Sequence, residues 1–143
     1  VLVPPRVAYV PQVPRLFSET LADTVLLGID PAGLDDAFAL ACLDDDLREM
    51  PHGAATMVGP KGVRLSGGQV QRAAAARALV RQPELLVIDD LSSALDVTTE
   101  SRLWDGLFAA DDELAVLAVS HRPRVLERAD VVLHLEDGRL RPA

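Results

Sequence analysis

A helix-start signal followed closely by a short apolar run is the feature that most constrains this chain. Ser66 and Gln69 form the capping-box pattern of a helix N-terminus, and the alanine-rich stretch after them has high helix propensity. Pro83 disfavours helical backbone at Gln82 before it, so the helix is expected to stop near Arg81. The run Leu85–Ile88 then predicts a parallel strand covered on both faces. A helix that leads directly into a buried strand is typical of an α/β fold.

The rest of the chain extends the same alternation. A short strand is predicted at Val7–Val10 and a second buried strand at Leu114–Val119, with an amphipathic helix around Trp104 before it. Val131–Leu133 is a further apolar run, and Asp137–Gly138 after it predicts a hairpin turn. The predicted fold class is therefore α/β, with mainly parallel core strands and a C-terminal β-hairpin.

The first half of the chain is predicted to be mainly helical. Helices are expected at 18–27 and from Leu34 to Cys42, where apolar side chains recur at i, i+3 and i+4. Clustered glycines and prolines between residues 51 and 62 predict a loop. The acidic runs Asp35–Asp36 and Asp44–Asp46 lack the ligand spacing of a calcium loop, so we expect them to be solvated helix faces.

Composition argues against several classes of function. The 143 residues are 49% hydrophobic, which is enough for one domain with a real core. The net charge is −8, with 14 basic against 22 acidic residues and no basic cluster, which argues against a nucleic-acid surface. The single cysteine, Cys42, cannot form an internal disulfide, and no stretch is long and apolar enough to span a bilayer. We therefore expect no nucleic-acid partner and no direct insertion into a membrane.

Three groups of residues occur in an order that points to phosphate chemistry. In the pentapeptide Leu65–Gln69, Gly67 and Gly68 allow a phosphate to approach the backbone at the positive end of the predicted helix. Asp89 ends a predicted strand, where α/β folds bind ligands, and Ser120–His121 follows the next strand. This order predicts a nucleotide hydrolase. The phosphate-loop motif Gly-x-x-x-x-Gly-Lys-Ser/Thr does not occur in the sequence, so we expect a fragment of such an enzyme.

In this order the chain resembles the ATP-binding cassette (ABC) ATPase domain, from its glutamine loop to near its C-terminus. The matching positions are Gln12 for the Q-loop, Leu65–Gln69 for the signature motif, Leu85–Asp90 for the Walker B strand, Ser93–Asp96 for the D-loop and His121 for the switch histidine. The resemblance implies a P-loop NTPase-like cassette fragment over residues 1–143. It also implies a helical signature subdomain at about 13–82, followed at 83–143 by the core from the Walker B strand to the switch histidine.

The same resemblance implies the site and its cofactors, ATP and Mg²⁺. The nucleotide would be bound by the signature residues and the D-loop aspartate, namely Leu65, Ser66, Gly67, Gly68, Gln69 and Asp96. Asp89 and Gln12 would hold Mg²⁺ or its water, while Asp90, His121 and Gln12 would serve catalysis. Asp90 stands where active family members usually carry glutamate. A side chain shorter by one methylene leaves two alternatives, a slow general base or a mainly structural carboxylate.

Function and partners are implied in the same way. Arg15–Leu21 is similar to the segment after the Q-loop of exporter cassettes, so we expect an ATPase that drives export at the cytoplasmic face of the cell membrane. Its partners would be transmembrane domains and a second cassette, in a homodimer or a heterodimer. The alternative is a degenerate or truncated cassette that acts as a nonhydrolytic regulatory module. The chain alone is expected to lack ATPase activity.

Overall fold

The computed structural model describes residues 6–109 and 114–142, apart from the side chains of residues 92, 93 and 142. Its described strands are β1 (Val7–Val10), β2 (Leu85–Asp89), β3 (Ala115–Val119), β4 (Leu133–Glu136) and β5 (Arg139–Pro142). Its described helices are α1 (Leu21–Leu26), α2 (Leu34–Leu40), α3 (Asp44–Glu49), α4 (Gly67–Leu79), α5 (Val97–Ala109) and α6 (Pro123–Leu126). Among the described residues, two short 3-10 helices occupy Gly53–Ala55 and Leu91–Ala94, of which the second is named the Leu91–Ala94 turn.

The strands form one parallel sheet and one hairpin, which confirms the predicted α/β class. The order in the sheet is β1-β2-β3, and the register places Tyr9 beside Val87 and Val87 beside Leu117. Strands β4 and β5 pair antiparallel across Asp137 and Gly138, both at positive φ, as a two-residue hairpin turn requires. The predicted hairpin is thus present, although β4 starts two residues later than the predicted run.

Only one face of the parallel sheet is buried within the described part of the chain. Val10, Leu86 and Ile88 are fully buried, whereas Tyr9 and Leu117 on the opposite face are both more than half exposed. The prediction that Leu85–Ile88 and Leu114–Val119 are buried strands is therefore wrong on this second face, where Val87 is partly exposed and Leu117 and Val119 are exposed. The reason is that successive side chains of a strand point to opposite faces, and the described helices cover only one of them.

The helical half is built from shorter helices than the sequence predicts. The predicted helix at 18–27 begins only at Leu21, because Thr20 caps it by accepting a hydrogen bond from the backbone N–H of Asp23. Helix α2 ends at Leu40, and Cys42 lies beyond it with a left-handed backbone, φ +57°. The prediction of Cys42 on a helix face is thus wrong. Its thiol is half-buried, and burial raises its pKa.

Helix α4 lies at the centre of the fold. Its alanine-rich middle is buried at Ala73–Ala76, and the helix packs against α1, α2 and β1. Small side chains allow these close approaches. The helix begins after Ser66, as predicted, and ends at Leu79, two residues before the predicted end near Arg81. Of the described helices, none has the length and apolar character needed to cross a membrane. The central packing of α4 fixes the position of its N-terminus, where the signature residues lie.

Candidate functional site

The N-terminus of α4 is closed by a complete capping box, which confirms the helix start predicted at Ser66. The Ser66 hydroxyl accepts a hydrogen bond from the Gln69 backbone N–H at 3.2 Å, and the Gln69 side-chain oxygen accepts from the Ser66 backbone N–H at 2.9 Å. Ser66 and Gly67 are exposed to solvent. The positive end of a 13-residue helix is thus presented at the surface, an arrangement that suits an anionic ligand.

The two signature glycines have different surroundings. A Cβ on Gly68 would lie 2.9 Å from the carbonyl oxygen of Ala94, a distance that real Cβ atoms essentially never show. A Cβ on Gly67 would meet only the Ala94 side chain, at 3.4 Å. Packing against the Leu91–Ala94 turn therefore requires glycine at 68. Packing does not require glycine at 67, so the close approach of a ligand to the backbone would explain glycine there.

A buried ion pair between Asp46 and Arg72, which was not predicted from the sequence, holds the side chain of the signature residue Gln69. Asp46 accepts a hydrogen bond from the side-chain amide of Gln69 at 2.8 Å and pairs with Arg72 at 2.6 Å. The Asp46 and Arg72 side chains are only 14% and 12% exposed. The prediction that Asp44–Asp46 is a solvated face is wrong for Asp46. The signal that could have found it is Arg72, an isolated charge one residue before a run of alanines.

The parallel sheet brings the other predicted site residues to a single edge. Gln12 follows β1, Asp89 is the last residue of β2 and Asp90 follows it. His121 follows β3, so all four lie at the carboxyl ends of adjacent strands. Ligands of open α/β sheets bind at this edge. The structure thus brings together the residues predicted from three distant parts of the sequence.

Hydrogen bonds at this edge join neighbouring strands. The side-chain amide of Gln12 donates to a carboxylate oxygen of Asp90 at 3.2 Å, and the Tyr9 hydroxyl donates to Asp89 at 3.2 Å. Asp90 has a left-handed backbone, φ +46°, which aspartate tolerates better than most residues, and its N–H donates to the Val119 carbonyl at 3.0 Å. Tyr9 was not predicted as a site residue. Desolvation, followed by the charge of Asp89 and the hydrogen bond to it, raises the pKa of Tyr9.

Asp96, a predicted nucleotide contact, caps α5. Its carboxylate accepts hydrogen bonds at 3.0 Å from the backbone N–H groups of Thr98 and Thr99. Hydrogen bonding from the Thr99 side chain and backbone lowers the pKa of Asp96. The side chain of Ser93, at the start of the predicted D-loop, lies outside the described residues. The contact of Asp96 with nucleotide stays a prediction, as do the site roles of the signature residues, the β2 carboxylates, Gln12 and His121.

The donor set at the sheet edge fits a magnesium ion that binds together with a nucleotide. Within residues 6–109 and 114–142, no three histidine, cysteine or acidic side chains converge as a metal cage. Mg²⁺ with nucleotides needs no such cage, since it is usually held by one or two carboxylates, phosphate oxygens and water. Asp89, with the amide oxygen of Gln12, offers ligands of this kind.

Comparison with known proteins identifies the family. The family model described as "ABC transporter" matches residues 2–93, which is more than half of the chain. The chain belongs to the ABC transporter family. The predicted family is thus confirmed, and its ATPase domains generally hydrolyse ATP, which they bind with Mg²⁺.

Several relatives are ABC transporters by name. "ABC transporter 1" of Ajellomyces capsulatus is 43% identical over 140 residues, which cover 94% of this chain and 11% of that protein. "ABC multidrug transporter MDR2" of Trichophyton rubrum is 40% identical, with 94% and 10% covered. The "Uncharacterized ABC transporter ATP-binding protein YfiB" of Bacillus subtilis is 39% identical, with 94% and 24% covered.

A solved structure confirms the predicted cassette fold. A bacterial Atm1-family ABC exporter with ATP bound superposes with a TM-score of 0.86 at 33% identity, covering 94% of this chain and 24% of that chain. The ABC chain thus spans between a tenth and a quarter of the length of these relatives.

Proposed function

We propose that this chain is part of the ATP-hydrolysing cassette of an ABC exporter and contributes to two different ATP sites. The α4 N-terminus contributes the signature to a nucleotide held by a second cassette. The carboxyl edge of the sheet contributes Asp89, Asp90 and Gln12 to the nucleotide of its own cassette. The single observation that carries the proposal is the capped helix N-terminus with Ser66 and Gly67 exposed, since its backbone is held ready for an anion.

Each predicted residue has a role that its geometry allows. Ser66 and the backbone at Gly67 face the γ-phosphate, with Leu65, Gly68 and Gln69 holding this turn in place. Asp89 and Gln12 hold Mg²⁺, which neutralises charge on the phosphates when it is bound. Asp90 orients or deprotonates the attacking water, while His121, exposed after β3, contacts the γ-phosphate. Asp96 positions the D-loop beside the nucleotide.

The phosphate loop must come from residues that this sequence does not contain. We therefore define the complete transporter as this chain together with a phosphate loop, a second cassette and transmembrane domains at the cytoplasmic face of the membrane. Within it, residues 13–82 act as the helical signature subdomain and residues 83–143 as part of the core. The multidrug name of a relative and the exporter-like segment Arg15–Leu21 support export as the direction.

Asp90 divides the proposal into two forms. The shorter carboxylate and its hydrogen bond from Gln12 favour a slow site, paired in a heterodimer with a partner site that uses this chain's signature. In the second form, a homodimer uses Asp90 as its base. In a pure homodimer, ATP turnover that drops strongly with Asp90→Asn but not with Asp90→Glu supports the second form. In a complex with a second, different cassette, ATP turnover that neither Asp90 substitution changes supports the asymmetric heterodimer.

The test of the proposed function is Gly67→Leu in the complete transporter. Because no backbone atom opposes a Cβ at 67, the variant should fold while its side chain blocks phosphate approach. We expect ATP turnover to fall at least about a hundredfold, as for a misplaced reacting group. Gly106→Ala in the middle of α5, where a Cβ would lie 3.6 Å from a Leu40 methyl, is the control and should leave turnover unchanged. Unchanged ATP turnover in a folded Gly67→Leu transporter rejects the proposal. If the unsubstituted transporter and both variants all lack ATP turnover, the result favours the nonhydrolytic regulatory module.

A further inference from the structure

Gln71 is a buried amide on α4, two residues before a run of four alanines. The residue is only 3% exposed, and Ala73–Ala76, which follow it on α4, are buried as well. Burying an amide beside methyl groups is costly unless its N–H and C=O groups find partners. The reason for a glutamine at this position therefore lies in what the amide binds.

The Gln71 amide joins α4 to two segments that are distant in sequence. Its nitrogen donates to the backbone carbonyl oxygen of Gln12 at 3.3 Å, and its oxygen accepts from the backbone N–H of Ala94 at 3.4 Å. Both contacts are to backbone atoms, so they depend on the path of each segment and not on its side chains. One side chain thus links the loop after β1 to the Leu91–Ala94 turn.

A separate packing contact joins the same turn to α4. The Ala94 carbonyl oxygen lies only 2.9 Å from where a Cβ of Gly68 would be. Gly68 is three residues before Gln71, on the same face of the helix. Ala94 is therefore held twice, by close backbone contact at the first turn of α4 and by the Gln71 amide one turn later. This arrangement ties the signature end of α4 to the segment that leads into Asp96.

We propose that Gln71 is a positioning residue that holds the Gln12 loop and the Leu91–Ala94 turn in one arrangement relative to the signature. The inference rests on the proposed function, because Gln12 and Asp96 are ATP-site residues only within it. Gln71 acts through the backbone of Gln12, whose side chain in turn donates to Asp90. A shift of the signature is thereby transmitted to the carboxylate edge, so that the two ATP sites to which this chain contributes respond together.

The link itself is tested by amide exchange in the full 143-residue chain. Gln71→Met keeps the length of the side chain but removes its donor and acceptor. We expect the Ala94 N–H to exchange at least about fivefold faster, the factor expected for the loss of one ordinary hydrogen bond. Exchange at Ala94 that is unchanged in a folded Gln71→Met chain overturns the proposal.

The unsubstituted chain gives a second test that does not depend on the folding of a variant. The Ala94 N–H should exchange at a rate similar to that of the buried turns of α4, because the two are held as one unit. If Ala94 exchanges as fast as an unprotected loop amide while α4 is protected, the link does not exist.

The functional consequence is tested in the complete transporter with a control of matched position. Gln71→Met should lower kcat for ATP at least about fivefold with little change in KM, again the factor for one hydrogen bond. Ala75→Gly weakens the same helix without removing either Gln71 hydrogen bond and should leave kcat unchanged. Equal loss of kcat in both variants means that Gln71 is merely structural and overturns the proposal. Absence of turnover in the unsubstituted transporter rejects the proposed function instead, while the exchange result still decides whether the link exists.

Discussion

The signature end of α4 and the carboxyl edge of the sheet would both contact nucleotide, but they are constructed differently. The signature is held by a reciprocal capping box, by close packing of Gly68 on Ala94 and by a buried ion pair beneath Gln69. The edge consists of side chains that bond to neighbouring strands on a sheet with one exposed face. The comparison indicates that several independent contacts fix the signature, whereas single hydrogen bonds beside an exposed sheet face hold the carboxylate edge.

The largest effect is expected where the signature depends on buried charge. Asp46→Ala leaves Arg72 without its carboxylate inside the protein, and it also removes the acceptor for the Gln69 amide. The variant should lose about 3 kcal/mol of unfolding free energy, as when one partner of a buried ion pair is deleted. Denaturant unfolding of the chain measures this loss.

The control for this prediction lies one residue away on the same helix. Asp45 pairs with Arg48 at the surface, where the two side chains are 71% and 75% exposed. Asp45→Ala should therefore cost less than about 1 kcal/mol. Equal losses of unfolding free energy in the two variants would contradict the claim that the buried Asp46–Arg72 ion pair stabilises the signature.

The next effect separates the two signature glycines. Gly68→Ala forces a Cβ into the Ala94 carbonyl oxygen and should cost about 1 to 3 kcal/mol through overpacking. Gly67→Ala meets only a methyl group, so its stability should change by less than about 1 kcal/mol, within the range of helix propensity. Thermal unfolding of both variants measures the difference. If Gly67→Ala is the more destabilising, glycine at 67 is explained by packing and not by phosphate.

Much of the signature region could be predicted from the sequence, because its determinants are local. Ser66 and Gln69 are three residues apart, so the capping box was visible without any tertiary information. Asp46 was missed because its partners Gln69 and Arg72 lie more than twenty residues away. Local sequence shows the charge but not its burial.

The sheet edge was predicted for a different reason and with a different error. Apolar runs that end in Asp89 or precede His121 mark the carboxyl ends of strands, so the shared edge followed from the fold class. The same runs do not say what covers each face, so the exposure of Tyr9 and Leu117 was not foreseen. The bond from Tyr9 to Asp89 could not be foreseen either, since it depends on the pairing register of β1 and β2.

The smallest effect probes this exposed edge. Tyr9 is the only tyrosine of the chain, so its ionisation can be followed by phenolate absorbance. Its pKa should lie above the ordinary value of 10.0, and Asp89→Asn should bring it part of the way back, because desolvation is the larger cause and remains. Glu84→Gln, just before the other end of β2, is the control and should leave the pKa of Tyr9 unchanged. A Tyr9 pKa that does not respond to Asp89→Asn shows that the two side chains do not interact.

The sign of the pH dependence follows from the same shift. Since the folded state holds the phenol proton more tightly than the unfolded state, the contribution of Tyr9 to stability is fully present below pH 10. It is lost as the pH rises through the raised pKa of the folded state. The unfolding free energy of Asp89→Asn should therefore depend less on pH in this range.

The central claim is that the signature of this chain faces the triphosphate held by another cassette. The direct measurement places a single cysteine at position 67, in a Cys42→Ala background, and exposes the complete transporter to ATP carrying a thiol-reactive group on its γ-phosphate. The account predicts labelling at position 67 that requires Mg²⁺ and the second cassette, with no labelling of a control cysteine placed at Asp36 on α2. Labelling at position 67 that does not exceed the control, in a transporter assembled with both cassettes and bound to the nucleotide, would contradict it.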